Sequence, residues 1–412
     1  MKSAALFVSL ALLGCASIWA QNTRRNADNK VNKGVRSFPT HNTTGTSVAQ
    51  DGASRVAVEK GAKWLASVQG TDGGWGQDGG DASNVRQSVP LESKGNDVAN
   101  TALAALALLR AGNHYRPNVE HALDFILRKV EASSPEGLSI SDVNQTQVQR
   151  KLGPYIDTFV ASMLLAQVEG TFDKSGNARI RSGLAKCVAK IQRNQTRDGS
   201  WNAGGGWAPL LGTSLASRSL YEASKKGLSV DQQVLARADA YTVKNQKDRD
   251  SMARGGGVVG GRGGGAGPGS GGSAGPSAGP GVSVDGASIA LSSAAGVPLY
   301  QDAQALEQLS RTPESRRENS SAIAAINGRL SDSKFVEGYG SIGGEEFFSY
   351  LNISDGLKRS GGKAWGEWYS KISEKILKLQ NNDGTWAGHH CITGRCAVTS
   401  AAILNLTADR DY

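Results

Sequence analysis

The sequence predicts an all-α protein, an α/α toroid of about six helical hairpins with inner and outer helix rings, interrupted by a disordered Gly/Pro-rich insertion. Three observations predict it. A glutamine is followed three residues later by Asp-Gly and six residues later by tryptophan in three places: Gln69 to Trp75, Gln195 to Trp201 and Gln380 to Trp386. A second spacing, Thr to Leu seven residues on, follows each of them at Thr101 to Leu108, Thr213 to Leu220 and Thr399 to Leu406, and recurs without a tryptophan turn at Thr158 to Leu165. Finally, runs with Lys and Glu set between apolar positions at helical spacing alternate with runs rich in Ala and Leu. The first kind faces water on one side; the second is apolar around most of its circumference and suits a helix buried on several sides.

Taken in chain order, the outer runs are 54–69, 117–131, 178–195, 231–248, 300–330 and 365–380. The matching inner runs are 97–111, 155–169, 208–226, 284–296, 341–358 and 394–408. Each Gln/Asp-Gly/Trp copy joins an outer run to the inner run after it. Glycine supplies the positive φ that stops the first helix. Glutamine is expected to cap backbone groups, and tryptophan to pack between neighbouring hairpins. In-phase repetition of one junction is the signature of a repeat architecture.

These residues resemble the repeats of squalene and terpenoid cyclases and of protein prenyltransferase β subunits. The resemblance is densest in the first copy, where Lys60-Gly61, Trp64-Leu65, Gln69, Gly73 and Trp75 occupy the repeat positions; the other copies keep Gln, Gly and Trp. It covers most of residues 54–408 outside the Gly-rich insert, and it implies a toroid in which the repeat turns are structural. For activity, the resemblance directs attention to two places. In the cyclases an Asp-x-Asp-Asp-Thr-Ala segment supplies the acid, and the matching stretch here is Asp97-Val98-Ala99-Asn100-Thr101-Ala102, with alanine where the acid would stand. Asp97 keeps the first carboxylate and is read as a helix cap. In the prenyltransferases zinc is held by Asp, Cys and His; the candidate ligands here are His389, His390, Cys391 and Cys396, although their spacing differs from that triad.

For that His/Cys segment a Cys391 to Cys396 disulfide is the preferred reading, with zinc ligation or free thiols as alternatives. Asp157, ahead of Thr158, joins Asp97 as a candidate catalytic carboxylate. The pair Glu345-Glu346, ahead of Phe347-Phe348, also stands at an inner-run start, where helix capping is the ordinary role of an acid. The glycines of 255–281 contain Gly271-Gly272-Ser273-Ala274-Gly275 and Gly275-Pro276-Ser277-Ala278-Gly279, but a nucleophile elbow needs a strand before the serine, and this Gly/Pro/Ser stretch forms none.

At the N-terminus, Lys2 and the apolar run Ala4 to Leu13 have the form of an export signal. Two processing routes are open. Cleavage after Ile18-Trp19-Ala20 would remove residues 1–20, whereas Leu12-Leu13-Gly14-Cys15 has the form of a lipobox, with 1–14 as lipoprotein signal and Cys15 acylated. Residues 21–53 form a disordered polar tether, and 54–412 the toroid, with a flexible loop at about 251–283. The expected location is periplasmic, outer-surface or secreted, with membrane attachment only through a lipid anchor. Net charge is +9, spread along the chain. No basic module interleaved with aromatics is present, so nucleic acid is not an expected partner.

Aromatic residues are 6% of the chain, a thin supply for a pocket that steers carbocations by cation–π attraction. Beyond those in the repeats and the signal, the rings left over are Trp207, Trp365, Trp368, Phe159, Phe347, Phe348 and Tyr350. The favoured function is an exported, non-catalytic toroid that binds an apolar or isoprenoid-like ligand or an envelope protein and needs no cofactor. The alternative is a cyclase or prenyltransferase-type enzyme with an acid at Asp97 or Asp157, or with zinc.

Overall fold

Helices account for nearly all regular structure in the computed structural model, which describes residues 52–78, 95–201, 209–255, 297–337 and 342–410. In chain order they are α1 (Gly52–Ser67), α2 (Val98–Ala111), α3 (Arg116–Ala132), α4 (Gln147–Leu152), α5 (Ile156–Val168), α6 (Lys174–Arg193), α7 (Pro209–Lys225), α8 (Gln232–Gly255), α9 (Val297–Leu309), α10 (Pro313–Glu318), α11 (Ser320–Leu330), α12 (Ser333–Val336), α13 (Gly344–Ser360), α14 (Gly362–Lys378) and α15 (Arg395–Leu406). Helices α2, α5, α7, α9, α13 and α15 pack side by side in that order, and α15 packs on α2, so the inner ring closes. Outside them stand α1, α3, α6, α8, α11 and α14, with α14 against α1. The expected double-walled α/α toroid of six hairpins is the observed fold. Inner helices are buried around their circumference: in α5 every residue but Gln167 is buried.

The repeat turns show how sequence enforces this shape. In each, the glycine has positive φ: 91° at Gly73, 92° at Gly199 and 87° at Gly384. The glutamine amide closes the turn by donating to that glycine's carbonyl, at 2.9 Å from Gln69, 3.0 Å from Gln195 and 2.9 Å from Gln380. The same amide also donates to the next outer helix: Gln69 to Asn118 O of α3 (3.0 Å), Gln195 to Val234 O of α8 (2.8 Å) and Gln380 to Ala57 O of α1 (2.9 Å). The indole N–H reaches back to the preceding helix, to Leu65 O, Ile191 O and Ile376 O. The tryptophan backbone N–H donates to the first residue of the Thr/Leu spacing, Thr101, Thr213 or Thr399. In the copy lacking a tryptophan turn, the Thr158 hydroxyl donates instead to Leu138 O at 2.7 Å. Trp386 packs on the neighbouring hairpin at Gly61, where a Cβ would stand 2.9 Å from its ring. That contact requires the glycine of the Lys60-Gly61 pair.

The fourth and fifth hairpins depart from expectation. Residues 300–330 are not one outer helix: α9 belongs to the inner ring and α11 to the outer. The acids of α9 suggest a wet face, yet they are paired inside the wall. Asp302 takes a bidentate bond from Arg329 (2.6 and 2.9 Å), and Glu307 is held by Arg311 (2.6 Å) and Arg359 (2.9 Å). Buried charges persist when paired, so composition read α9 as wet where partners decided otherwise. The expected inner run 284–296 lies outside the described residues, as do the tether to residue 51, both export readings, Cys15, Trp207 and the two Gly-x-Ser-x-Gly strings. Of the loop expected at 251–283, residues 251–255 are the last of α8 and the others lie outside the description.

Candidate functional site

The two candidate carboxylates meet at the N-termini of neighbouring inner helices. Asp97 is the N-cap of α2: its Oδ1 accepts the Asn100 N–H (2.8 Å) and its Oδ2 the Asn100 side-chain amide (2.8 Å). Asp157, in the first turn of α5, accepts the Ala99 N–H on Oδ1 (3.0 Å) and the Gln149 amide on Oδ2 (2.5 Å). A carboxylate of α5 thus binds the first turn of α2, at Ala99. Burial raises Asp97 to about 6 against the hydrogen bonds from Asn100; burial and then the charge of Asp97 raise Asp157 to about 7. Such a pair can hold a proton near neutrality. Its oxygens, however, are committed to backbone and amide donors, and neither residue lines the central cavity.

That cavity lies between the inner helices α2, α5, α7, α13 and α15. Leu103, Leu106, Val160, Met163, Leu215, Leu351 and Leu404 dominate its wall, with Arg218 and Asn352 the polar exceptions, and its volume is about 20 Å³. This is room for about one water, whereas small-molecule sites run to roughly 300 Å³ and above. Of the aromatic residues set aside for a ligand lining, Phe348 alone among the described ones reaches it. Trp365 and Trp368 sit on the outer helix α14; the Trp368 indole donates to Ser354 Oγ (3.0 Å) and meets Tyr350 edge-on at 6.0 Å. Arg218 pairs with Asp355 at 2.5 Å. A wider hollow of about 690 Å³ opens on the outer wall, where Asp239, Lys244 and Lys247 of α8 face Glu314 and Glu318 of α10.

The His/Cys segment is a loop strapped to the start of α13. Gly344 N–H donates to Ile392 O (3.1 Å) and His389 N–H to Ile342 O (2.9 Å), while Ile392 N–H donates to Glu345 Oε2 (3.2 Å). Gln147 of α4 supports it from the other side, its Oε1 accepting the N–H groups of Thr393 (2.9 Å) and Gly394 (3.1 Å). Cys391 takes a left-handed φ of 59°, a conformation that costs a non-glycine residue energy and persists where surroundings impose it.

Two expectations fail here. Cys391 and Cys396 do not form a disulfide: Cys396 is buried in the first turn of α15, its N–H bound to Gln77 O, whereas Cys391 lies beside Glu345. Of the four proposed ligands, only His390 and Cys391 come together, and their third companion is Glu345. His389 is exposed and outside the group. Sequence reasoning took Glu345 as a helix-start acid because the loop that reaches it is distant in the chain. Burial raises Glu345; burial and then the nearby Glu345 charge raise the Cys391 thiol to about 12; Glu346 is raised by burial to about 7, opposed by its bond from the Tyr300 hydroxyl (2.9 Å).

Residues 42–137 match the family model of the squalene-hopene cyclase C-terminal domain. A squalene–hopene cyclase from Bradyrhizobium diazoefficiens is 37% identical over 75 residues, which is 17% of this chain and 10% of that enzyme's length. The match therefore spans about a tenth of the curated relative. Among solved structures, a type II terpene cyclase from Scytonema in complex with geranylgeranyl dihydroxybenzoate aligns over 87% of this chain and 97% of that one, at 12% identity and a TM-score of 0.34. A second variant of the same cyclase, solved without ligand, aligns over 87% and 96%, at 13% and 0.33. At such values the likeness says nothing of chemistry. The matched segment, which carries the first repeat turn, is squalene-hopene cyclase-like.

Proposed function

We propose that this terpenoid cyclase-like toroid is an exported, non-catalytic binding protein that engages an envelope partner through its outer surface rather than a polyene in its interior. The observation that carries this reading is that the cavity between α2, α5, α7, α13 and α15 measures about 20 Å³ among the described residues, well below what an isoprenoid chain occupies. Alanine at position 99, where the resemblance places the acid, points the same way. The mixed-charge hollow between α8 and α10 offers Lys244, Lys247, Glu314 and Glu318 to a polar partner. Export rests on the N-terminal pattern Lys2, Ala4 to Leu13, with attachment at Cys15 if the lipobox route is taken.

A second reading has one observation in its favour. Asp97 and Asp157 are buried acids shifted toward neutrality, the property a general acid needs. In this reading the chain is a cyclase whose acid comes from α5 instead of position 99, and the interior must widen to admit substrate.

Incubation of the purified full chain with squalene, analysed by mass spectrometry, separates the two. The binding reading expects no cyclised product, together with a photo-crosslink from position 244 to one exported protein in intact cells that is lost on Lys247→Glu. Cyclised product that disappears in Asp157→Asn would establish the enzyme instead.

A further inference from the structure

We infer that Glu345, His390 and Cys391 form a site for one divalent transition-metal ion of the zinc type. This goes beyond the binding role above and does not depend on it. Each residue offers one ligand atom, and the three atoms lie within 4.8 Å of one another. Around tetrahedral zinc, bonds of about 2.0–2.3 Å set ligand atoms roughly 3.3–3.8 Å apart, so the group has to contract by about 1 Å, which side-chain rotation supplies. One carboxylate oxygen, one imidazole nitrogen and one thiolate sulfur favour zinc or cobalt over the oxygen-seeking magnesium and calcium ions. With three protein ligands, a fourth position stays open to water or another ligand.

The surroundings are organised for these three groups. Glu345 has its Oε2 tied to the Ile392 N–H at 3.2 Å and its carboxylate takes a hydrogen bond from the Cys391 thiol, the proton a metal would displace, while its buried Oε1 has no donor of its own. A buried carboxylate oxygen without a donor is costly, and a cation would satisfy it. The imidazole of His390 lies against Gly343, where a Cβ would fall 2.6 Å from Nδ1; only glycine leaves that space. Glu346 is held away by the Gly343 N–H (2.9 Å) and the Tyr300 hydroxyl (2.9 Å), so it borders the site without competing for Glu345's place. His390 and Cys391 are half-buried, which gives an ion a route in. On binding, the Cys391 thiol releases its proton to solvent and the S–metal bond forms.

The test uses the full chain, reduced, stripped with chelator and titrated with cobalt(II) chloride alone. The expected result is one equivalent bound, with the ultraviolet charge-transfer band of a cobalt–thiolate, displaced by one equivalent of zinc. Cys391→Ser should abolish the band; Glu345→Gln and His390→Ala should each weaken binding about tenfold or more, and His389→Ala should leave it unchanged. Folded wild type that shows no band, or a band that survives Cys391→Ser, overturns the site. Should Cys391→Ser fail to fold, Glu345→Gln decides, because it keeps an acceptor for Ile392 N–H: wild-type cobalt affinity in that variant overturns the site as well.

Discussion

The side-chain amide of Gln380 donates to the carbonyl oxygen of Ala57, 323 residues earlier in the chain, at 2.9 Å. The last repeat turn thereby bonds to the first outer helix, and the bond that elsewhere links one hairpin to the next here joins the two ends of the ring. Gln380→Ala removes the donor for both Ala57 O and Gly384 O, so a loss of about 1–3 kcal/mol is expected. Urea unfolding measures it, and an unchanged midpoint would dismiss the closing role.

Trp201 is buried and its indole N–H is bound to Ile191 O at 2.7 Å. Trp201→Ala leaves both a cavity and a carbonyl without its donor. A destabilisation of about 3–5 kcal/mol is expected, read as a fall in thermal midpoint; a midpoint within error of wild type would contradict the turn's structural role.

Asp157 is raised in the fold from 3.8 to about 7, so the folded chain holds a proton that the unfolded chain releases near pH 4. Its contribution to stability is therefore full below about pH 4 and is lost as pH rises through about 7. Asp157→Asn lacks this titration. Relative to wild type, the variant should gain at least about 1 kcal/mol in stability between pH 4 and pH 7; parallel pH profiles would show that Asp157 is not protonated in the fold.

Glu307 has the opposite sign. Arg311 and Arg359 outweigh its burial and lower it from 4.5 to about 2, so its contribution is present above about pH 4.5 and is lost as pH falls toward 2. Glu307→Gln leaves two largely buried guanidinium groups without their carboxylate, at a cost of about 3–5 kcal/mol. Chemical denaturation at pH 7 and pH 3 checks both parts, since the difference between variant and wild type should narrow at the lower pH.

Ala99 is fully buried and its N–H is already bound to Asp157. Ala99→Asp restores the acid of the resembling motif but adds a third carboxyl beside Asp97 and Asp157. The expected outcome is a lower thermal midpoint and no conversion of squalene. A variant that cyclised squalene would show that only the missing acid separates this chain from catalysis.

Periodicity alone determined the fold class. A turn built on Gln, Asp-Gly and Trp has the same local hydrogen bonds in every copy, so three copies specify one junction and, by repetition, a ring. The same local logic made Asp97 legible as a cap. Tertiary structure decided what depends on distant partners. It moved α9 to the inner wall, where Asp302 is held by Arg329 and Glu307 by Arg359 as well as by the nearby Arg311, and it separated Cys396 from Cys391 by placing one in a helix and the other in a loop. It brought Glu345 to His390 and Cys391, a meeting no spacing encodes, since it follows from a loop bonded across to another hairpin. It also set the space shared by Leu, Val and Met side chains of five inner helices, since how far they fill it depends on where the backbones stand, which composition does not record.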